Sequence, residues 1–286
     1  PAHNYLIKKD YLYSKLEQQQ IKKDALTTID INNINKKYKI NPDFILQPVV
    51  FKYHNGLKLL PKPIINLIKN KTVIDCGAYY GDSALVFNNY NPKHIFAFEP
   101  SSINFNFLKE TIENNNLLQK ITPINKGVSD RNTFATLSFN STKRPNLGAK
   151  VININSDINA CNYNCLNHIA NKSTETHTTA AKSKSLKKLE DIELITLDYF
   201  VTSNSLKDIG LIKIDIEGFE LEALLGAKNT IKTYKPIILA AIYHNAEEFL
   251  KVKPFLESLT SSYNFLMCPL DTADILKEFY LIAYPK

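Results

Sequence analysis

The residues that could do chemistry in this chain are acids placed next to glycines and at strand ends. Asp75 closes the β-branched run Thr72-Val73-Ile74, and Gly77 and Gly81 follow it in the stretch TVIDCGAYYGD. From Asp82 the text turns to Ser83-Ala84-Leu85-Val86-Phe87, dense enough in apolar residues for a short buried helix. A buried parallel strand, a glycine turn and a helix start make the first unit of a nucleotide-binding α/β fold. Glycine allows close backbone approach, and the helix start offers free N–H groups. A second acid, Glu99, ends the apolar strand Ile95-Phe96-Ala97-Phe98 at the distance where a ribose diol is gripped. A third group lies further on: Asp215 at the end of Leu211-Ile212-Lys213-Ile214, Glu217 just after it, and His244 at the end of PIILAAIY.

The turn reads D-x-G-A-x-x-G, with Tyr79 where a dinucleotide fingerprint often has glycine. Asp75 ahead of it would repel a pyrophosphate and suit a cation. S-adenosylmethionine has a sulfonium, an ammonium and no phosphate, and it meets that demand.

Around these residues the chain alternates strands and helices. Ser102 to Asn115 is an amphipathic helix with a serine at its start, and Ile121 to Asn125 is the third core strand. Right-handed crossovers then set the third strand beside the second. Phe134 to Phe139 alternates as an extra strand, and Asp198-Tyr199-Phe200 opens a short helix. Leu211–Ile214 and Pro236–Tyr243 are the fourth and fifth core strands, with helices over Leu221–Lys228 and Ala246–Leu259. Tyr263–Met267 and Glu278–Ala283 close the sheet as a pair. PVVFKY at 48–53 reads as a short strand, and Pro63 to Lys69 as a short helix. Residues 1–47 form a helical N-terminal extension, with helical periodicity over Tyr11–Leu26. Residues 48–286 form the main domain, and a polar insertion over about 140–190 is expected to act as a lid or acceptor-recognition loop.

Composition excludes several classes. At 286 residues with 44% apolar content the chain buries a full core. No apolar run reaches the roughly 20 residues of a membrane helix, and PAHNYLIKKDYLY has no signal-peptide core, so a cytoplasmic chain without a membrane span is expected. Met267 is the sole methionine, so the chain is read as a fragment. The net charge of +7 comes from dispersed lysines with Arg131 and Arg144 the only arginines, which argues against nucleic-acid binding. Cys76 and Cys268 read as core residues. Cys161-x3-Cys165-x2-His168 has zinc-like spacing, but no second half follows it, and no metal site is assigned.

DCGAYYGDS, AFEPSSINFNFLKETIENNNL, GVSD, LIKIDIEGFELEALLGA and IYHNAEEFLKVKPFLESL together resemble the FkbM family of S-adenosylmethionine-dependent methyltransferases, from about Tyr53 to the C-terminus. The resemblance implies a class I methyltransferase (Rossmann-like) fold, a seven-stranded mostly parallel sheet with an antiparallel last hairpin. It also implies O-methylation of a sugar or of a polyketide-type hydroxyl. Tyr79 stands where the family often has asparagine. The candidate cofactor contacts are Asp75, Gly77, Ala78, Tyr79, Gly81, Asp82 and Ser83 in the turn, Glu99, Pro100, Ser101 and Asn104 after the second strand, Val128 and Ser129 of GVSD, and Asp215.

Methyl transfer to a hydroxyl needs the oxygen aligned and its proton removed. His244 or Glu217 is expected to take the proton, with Asp215 positioning the cofactor; Asp215 itself as the base is the rival assignment. The same acids could instead bind a divalent cation through oxygen ligands, as some class I O-methyltransferases do, but only Asp215 and Glu217 stand as a pair in the sequence. A DNA-adenine methyltransferase is argued against by DIEG after the fourth strand. A non-catalytic cofactor-binding module is the remaining competitor. The acceptor is a small-molecule or glycan hydroxyl, and the oligomeric state is not legible.

Overall fold

The computed structural model describes residues 29–140, 150–155, 187–270 and 278–286. Its centre is a seven-stranded sheet of β1 (Thr72–Cys76), β2 (His94–Phe98), β3 (Ile121–Ile124), β8 (Ile209–Ile214), β9 (Ile237–Ala241), β10 (Tyr263–Pro269) and β11 (Phe279–Pro285), in the order β10-β11-β9-β8-β1-β2-β3. β8, β9, β1, β2 and β3 run parallel, whereas β11 is antiparallel to β9 and β10 antiparallel to β11. This is the class I methyltransferase arrangement expected from the sequence.

The strands carry continuous apolar text because both faces are covered. Every residue of β1, β8 and β9 is buried, as a parallel sheet between helix layers requires. Alternate side chains serve opposite cores: Val73, Ile95 and Leu211 join Leu85, Phe87 and Leu108 on one face. Ile74, Ile212 and Ile214 join Phe200, Leu224 and Val252 on the other.

A second, four-stranded sheet stands over the edge at β3, in the order β4-β7-β5-β6. It is built from β4 (Gly127–Val128), β5 (Thr133–Asn140), β6 (Lys150–Asn155) and β7 (Lys187–Ile195). The extra strand expected at 134–139 is its β5, and both described ends of the polar insertion are strands here. The remainder of the expected lid, Cys161-Cys165-His168 and the Tyr11–Leu26 helix lie outside the described residues.

Three local expectations are corrected. PVVFKY is not a strand: Pro48–Phe51 is a helical turn with proline at its first position, followed by left-handed residues at His54, Asn55 and Gly56. Proline lacks the N–H a ladder needs and is pre-set for a helix start. The helix expected over 221–228 is two, Glu220–Leu225 and Lys228–Tyr234. Ser101 precedes the Ser102–Asn114 helix but makes no side-chain cap.

The N-terminal segment packs against the main core from Ile29 onward. Asn89 donates to the Tyr38 hydroxyl, Lys39 N–H to Asn115 Oδ1 (2.9 Å), and the Tyr80 hydroxyl to the Ile45 carbonyl (3.1 Å). No helix among the described residues is long and apolar enough to cross a membrane.

Candidate active site

A cavity of about 1050 Å³, counted to its open mouth, runs over the carboxyl ends of β1, β2 and β8. That is where strand order reverses, so the crossovers leave a crevice between their loops.

Its floor is the β1 tip. β1 and β8 pair in a register that sets Asp75 beside Lys213. The buried Lys213 Nζ lies 3.4 Å from Asp75 Oδ1 and donates to the carbonyls of Gly77 (2.7 Å) and Cys76 (3.3 Å). The Ser83 hydroxyl donates to Asp75 Oδ2 at 2.5 Å. Burial alone would lower the lysine pKa, yet Asp75, then Asp215 and Asp82, raise it, so Lys213 is charged. Asp75 therefore faces an internal cation, and it does not line the cavity. This corrects the expectation that its charge meets a ligand.

The glycines also act differently from expectation. At Gly77, φ is +78° and a Cβ would stand 1.9 Å from the Asp215 carbonyl oxygen, so the residue lets the β1 and β8 tips approach each other. At Gly81, φ is +97° and a Cβ would press Leu108 at 2.9 Å, so this glycine seats the Asp82–Asn88 helix against its neighbour. Ala78 is wholly buried and, like Gly81, does not line the cavity.

One end of the cavity belongs to Glu99. Its Oε2 accepts from Tyr79 N–H (3.0 Å), and its Oε1 from Ser101 N–H (3.0 Å) and the Asn104 amide (3.4 Å). Burial raises the Glu99 pKa to about 7, against the pull of those three donors. Tyr79 sits at φ +53°, which turns its N–H toward Glu99 and its ring to the cavity. Asp82 also lines the cavity, and burial pushes its pKa up to about 7, against the opposing charge of Lys213. Gly77, Ser83, Pro100, Asn104 and Val128 line the space as well; Ser101 and Ser129 do not. Ser129 instead donates its N–H to the Ile195 carbonyl, tying β4 to β7. Val128, Leu137, Ile192 and Leu194 give this end an apolar wall from the second sheet.

The other end is acidic. Asp215 follows β8, and its Oδ2 accepts from the buried Tyr280 hydroxyl at 2.6 Å. Tyr280 in turn accepts from Asn55 Nδ2 at 3.2 Å. Glu217 lines the cavity at φ +60°, a conformation that costs a non-glycine residue about 1–2 kcal/mol. His244 lies behind these two: Nε2 is 3.6 Å from Asp215 Oδ1 and 3.8 Å from Glu217 Oε2, and Nδ1 is 2.9 Å from Glu220 Oε1. Burial lowers the imidazole pKa, but Glu220, Asp215 and Glu217 outweigh it and raise it to about 9. The raised pKa favours the protonated imidazole at neutral pH, and His244 does not line the cavity.

Several residues of this site are not visible as such in the sequence. Lys213 had a signal, a charge inside an otherwise apolar buried strand. Glu220 looks like a helix-dipole partner but accepts from Ile216 N–H (2.8 Å) and Gly218 N–H (3.1 Å), folding the loop after β8 around itself. Asn55 and Tyr280 carry no motif.

Among solved structures, the methyltransferase FkbM of Methylobacillus flagellatus KT is 17% identical over 89% of this chain, with a TM-score of 0.48. The chain spans 60% of that protein's length. The precorrin-6y C5,15-methyltransferase of Geobacter metallireducens GS-15 is 12% identical, covering 88% of this chain and 95% of its own, with a TM-score of 0.44. No curated protein matches the chain. The model of the methyltransferase FkbM domain matches residues 75–266, from the Asp75 turn through β10's first residues and so more than half the sequence, and the chain belongs to the FkbM methyltransferase family.

Proposed function

We propose that the chain transfers a methyl group from S-adenosylmethionine to a hydroxyl of a sugar in a surface glycan or its precursor. The observation that carries this reading is one cavity lined by Glu99, by Asp215 and Glu217, and by the apolar side chains of the second sheet. Those donors and acceptors suit the cofactor: a carboxylate for the ribose diol, Phe98, Val128 and Leu194 for a purine, and carboxylates for a cationic end. When bound, the cofactor supplies a methyl already activated on sulfonium, so the protein need not provide a nucleophile.

The chain's own residues then hold, orient and deprotonate. Glu99, fixed by Tyr79 and Ser101, holds the diol. Asp215, fixed by Tyr280, faces the cationic end. Glu217 orients the acceptor hydroxyl and takes its proton, since His244 is already protonated. Asp215, Glu217 and Glu278 line the same end, an acidic surface that favours an acceptor with several hydroxyls over an apolar polyketide.

Incubating the full chain with methyl-labelled cofactor and a panel of free, nucleotide-linked and polymer-linked sugars tests the reading. Label should enter a sugar, and Glu217→Gln should lower turnover about 10²-fold or more, the scale of lost general-base help, with cofactor affinity kept. Label entering only apolar acceptors would overturn the sugar assignment. Full turnover in Glu217→Gln would overturn the assigned base.

A further inference from the structure

In the sequence Asp215, Glu217 and Glu220 stand in one short stretch; the fold brings His244 and Glu248 to them. We propose that Asp215, Glu217 and His244 form a site for a divalent first-row cation, Mn²⁺ in preference to Ca²⁺, with Glu220 orienting the imidazole.

Four carboxylates face one imidazole here. The His244 side chain is only 9% exposed; its Nδ1 faces Glu220 Oε1 at 2.9 Å, while Nε2 makes no hydrogen bond among the described residues. Glu220 is the immobile member: it is wholly buried and anchored by Ile216 and Gly218 N–H. An ion binding here would displace the Nε2 proton of His244; with Nδ1–H kept on Glu220, 2.9 Å away, the Nε2 lone pair then faces Asp215 Oδ1 and Glu217 Oε2. A carboxylate behind a histidine is the usual means of fixing the tautomer of a metal ligand.

The spacing fits a shared ion. Metal bonds of about 2.1 Å separate two ligands by about 3.0 Å at the 90° angles of an octahedral ion and by about 3.6 Å at 120°. The Nε2 distances to Asp215 and Glu217, 3.6 and 3.8 Å, lie at and just above the open end of that range, so a bound ion would draw the three groups together. Ligand atoms of Asp215, Glu220 and His244 all lie within 4.8 Å of one another. Lys213, the nearest lysine charge, is engaged by Asp75 and two carbonyls, which leaves the acidic cluster in excess.

One imidazole with carboxylates suits Mn²⁺ or Fe²⁺ better than Ca²⁺, which takes six to eight oxygens. Asp215 and Glu217 line the cavity, so the ion's remaining positions would open toward the acceptor. On the methyl-transfer reading, a bound hydroxyl would be acidified there, and a monodentate Glu217 would keep one oxygen for its proton.

The test needs neither cofactor nor acceptor, so its failure leaves methyl transfer standing. The full chain, stripped with chelator, is titrated with MnCl₂ while free Mn²⁺ is followed by electron paramagnetic resonance. One Mn²⁺ per chain is expected, with Ca²⁺ a poor competitor and with spin-echo modulation from a directly bound ¹⁴N. Glu217→Gln and His244→Gln should each weaken Mn²⁺ at least tenfold, and Lys251→Ala should not. Thermal melts check folding, and if His244→Gln melts early, Glu217→Gln on its loop decides. No bound Mn²⁺, no nitrogen modulation, or unchanged affinity in Glu217→Gln would overturn the site.

Discussion

Glu99, with Asp82, has a charge open to change at neutral pH. Its pKa is raised by burial to about 7, although three donors stabilise its ionised form. An ionised carboxylate accepts both hydroxyls of a diol, whereas a protonated one has lost an acceptor site. Affinity for S-adenosylhomocysteine should therefore fall as pH drops from 8 to 6. The unliganded fold should do the opposite. A carboxyl whose folded pKa exceeds its unfolded value of about 4.5 takes up a proton on folding, so stability decreases as pH rises from about 4.5 to 7. Asp82, also raised to about 7, acts in the same direction. Calorimetry and ligand-free thermal melts across this range should show affinity and stability moving in opposite directions; parallel movement would contradict the assignment of Glu99.

At the scale of elements, the site depends on how the tips of β1 and β8 are clasped. The Lys213–Asp75 pair and the Gly77–Asp215 approach are parts of one contact. Lys213→Met would leave the Asp75 carboxyl, whose pKa burial already raises, without its cation, a loss of about 3–5 kcal/mol, and adding Asp75→Asn should restore part of it. Urea unfolding measures both; equal stability of the single and double variants would show that the charges are not coupled. Much of this architecture was legible in sequence because fully buried strands need unbroken apolar text, as in Val73-Ile74 and Ile237–Ala241. The 246–259 helix was legible too, and its cap is Asn245, whose Oδ1 accepts from Glu248 N–H at 2.9 Å. PVVF misled, since four apolar residues have no period that separates strand from helix. The role of Asp75 was misread because the charge that answers it is supplied by another strand. For His244, only the fold shows the carboxylates that raise its pKa.

For the whole molecule, the cavity is completed by chain outside the matched family segment. Asn55 and Tyr280 lie before and after residues 75–266, yet they form the relay that ends on Asp215. The single Tyr280 proton goes to the carboxylate, so its oxygen must accept, which fixes the Asn55 amide orientation. Tyr280→Phe should cost about 1 kcal/mol of stability and weaken cofactor affinity, because Asp215, which faces the cationic end, loses its fixed donor. Calorimetry beside a melt separates the two, and unchanged cofactor affinity would remove Asp215 orientation from the account. The central claim is that the Glu99 end of this cavity holds the cofactor's ribose. Titrating S-adenosylhomocysteine into the wild-type chain and Glu99→Ala at pH 8 by calorimetry tests it most directly. One site per chain is expected, weakened roughly 5- to 150-fold in the variant, the equivalent of about 1–3 kcal/mol for diol hydroxyls left unpaired. No binding to the wild type, or equal affinity in both chains, would contradict it.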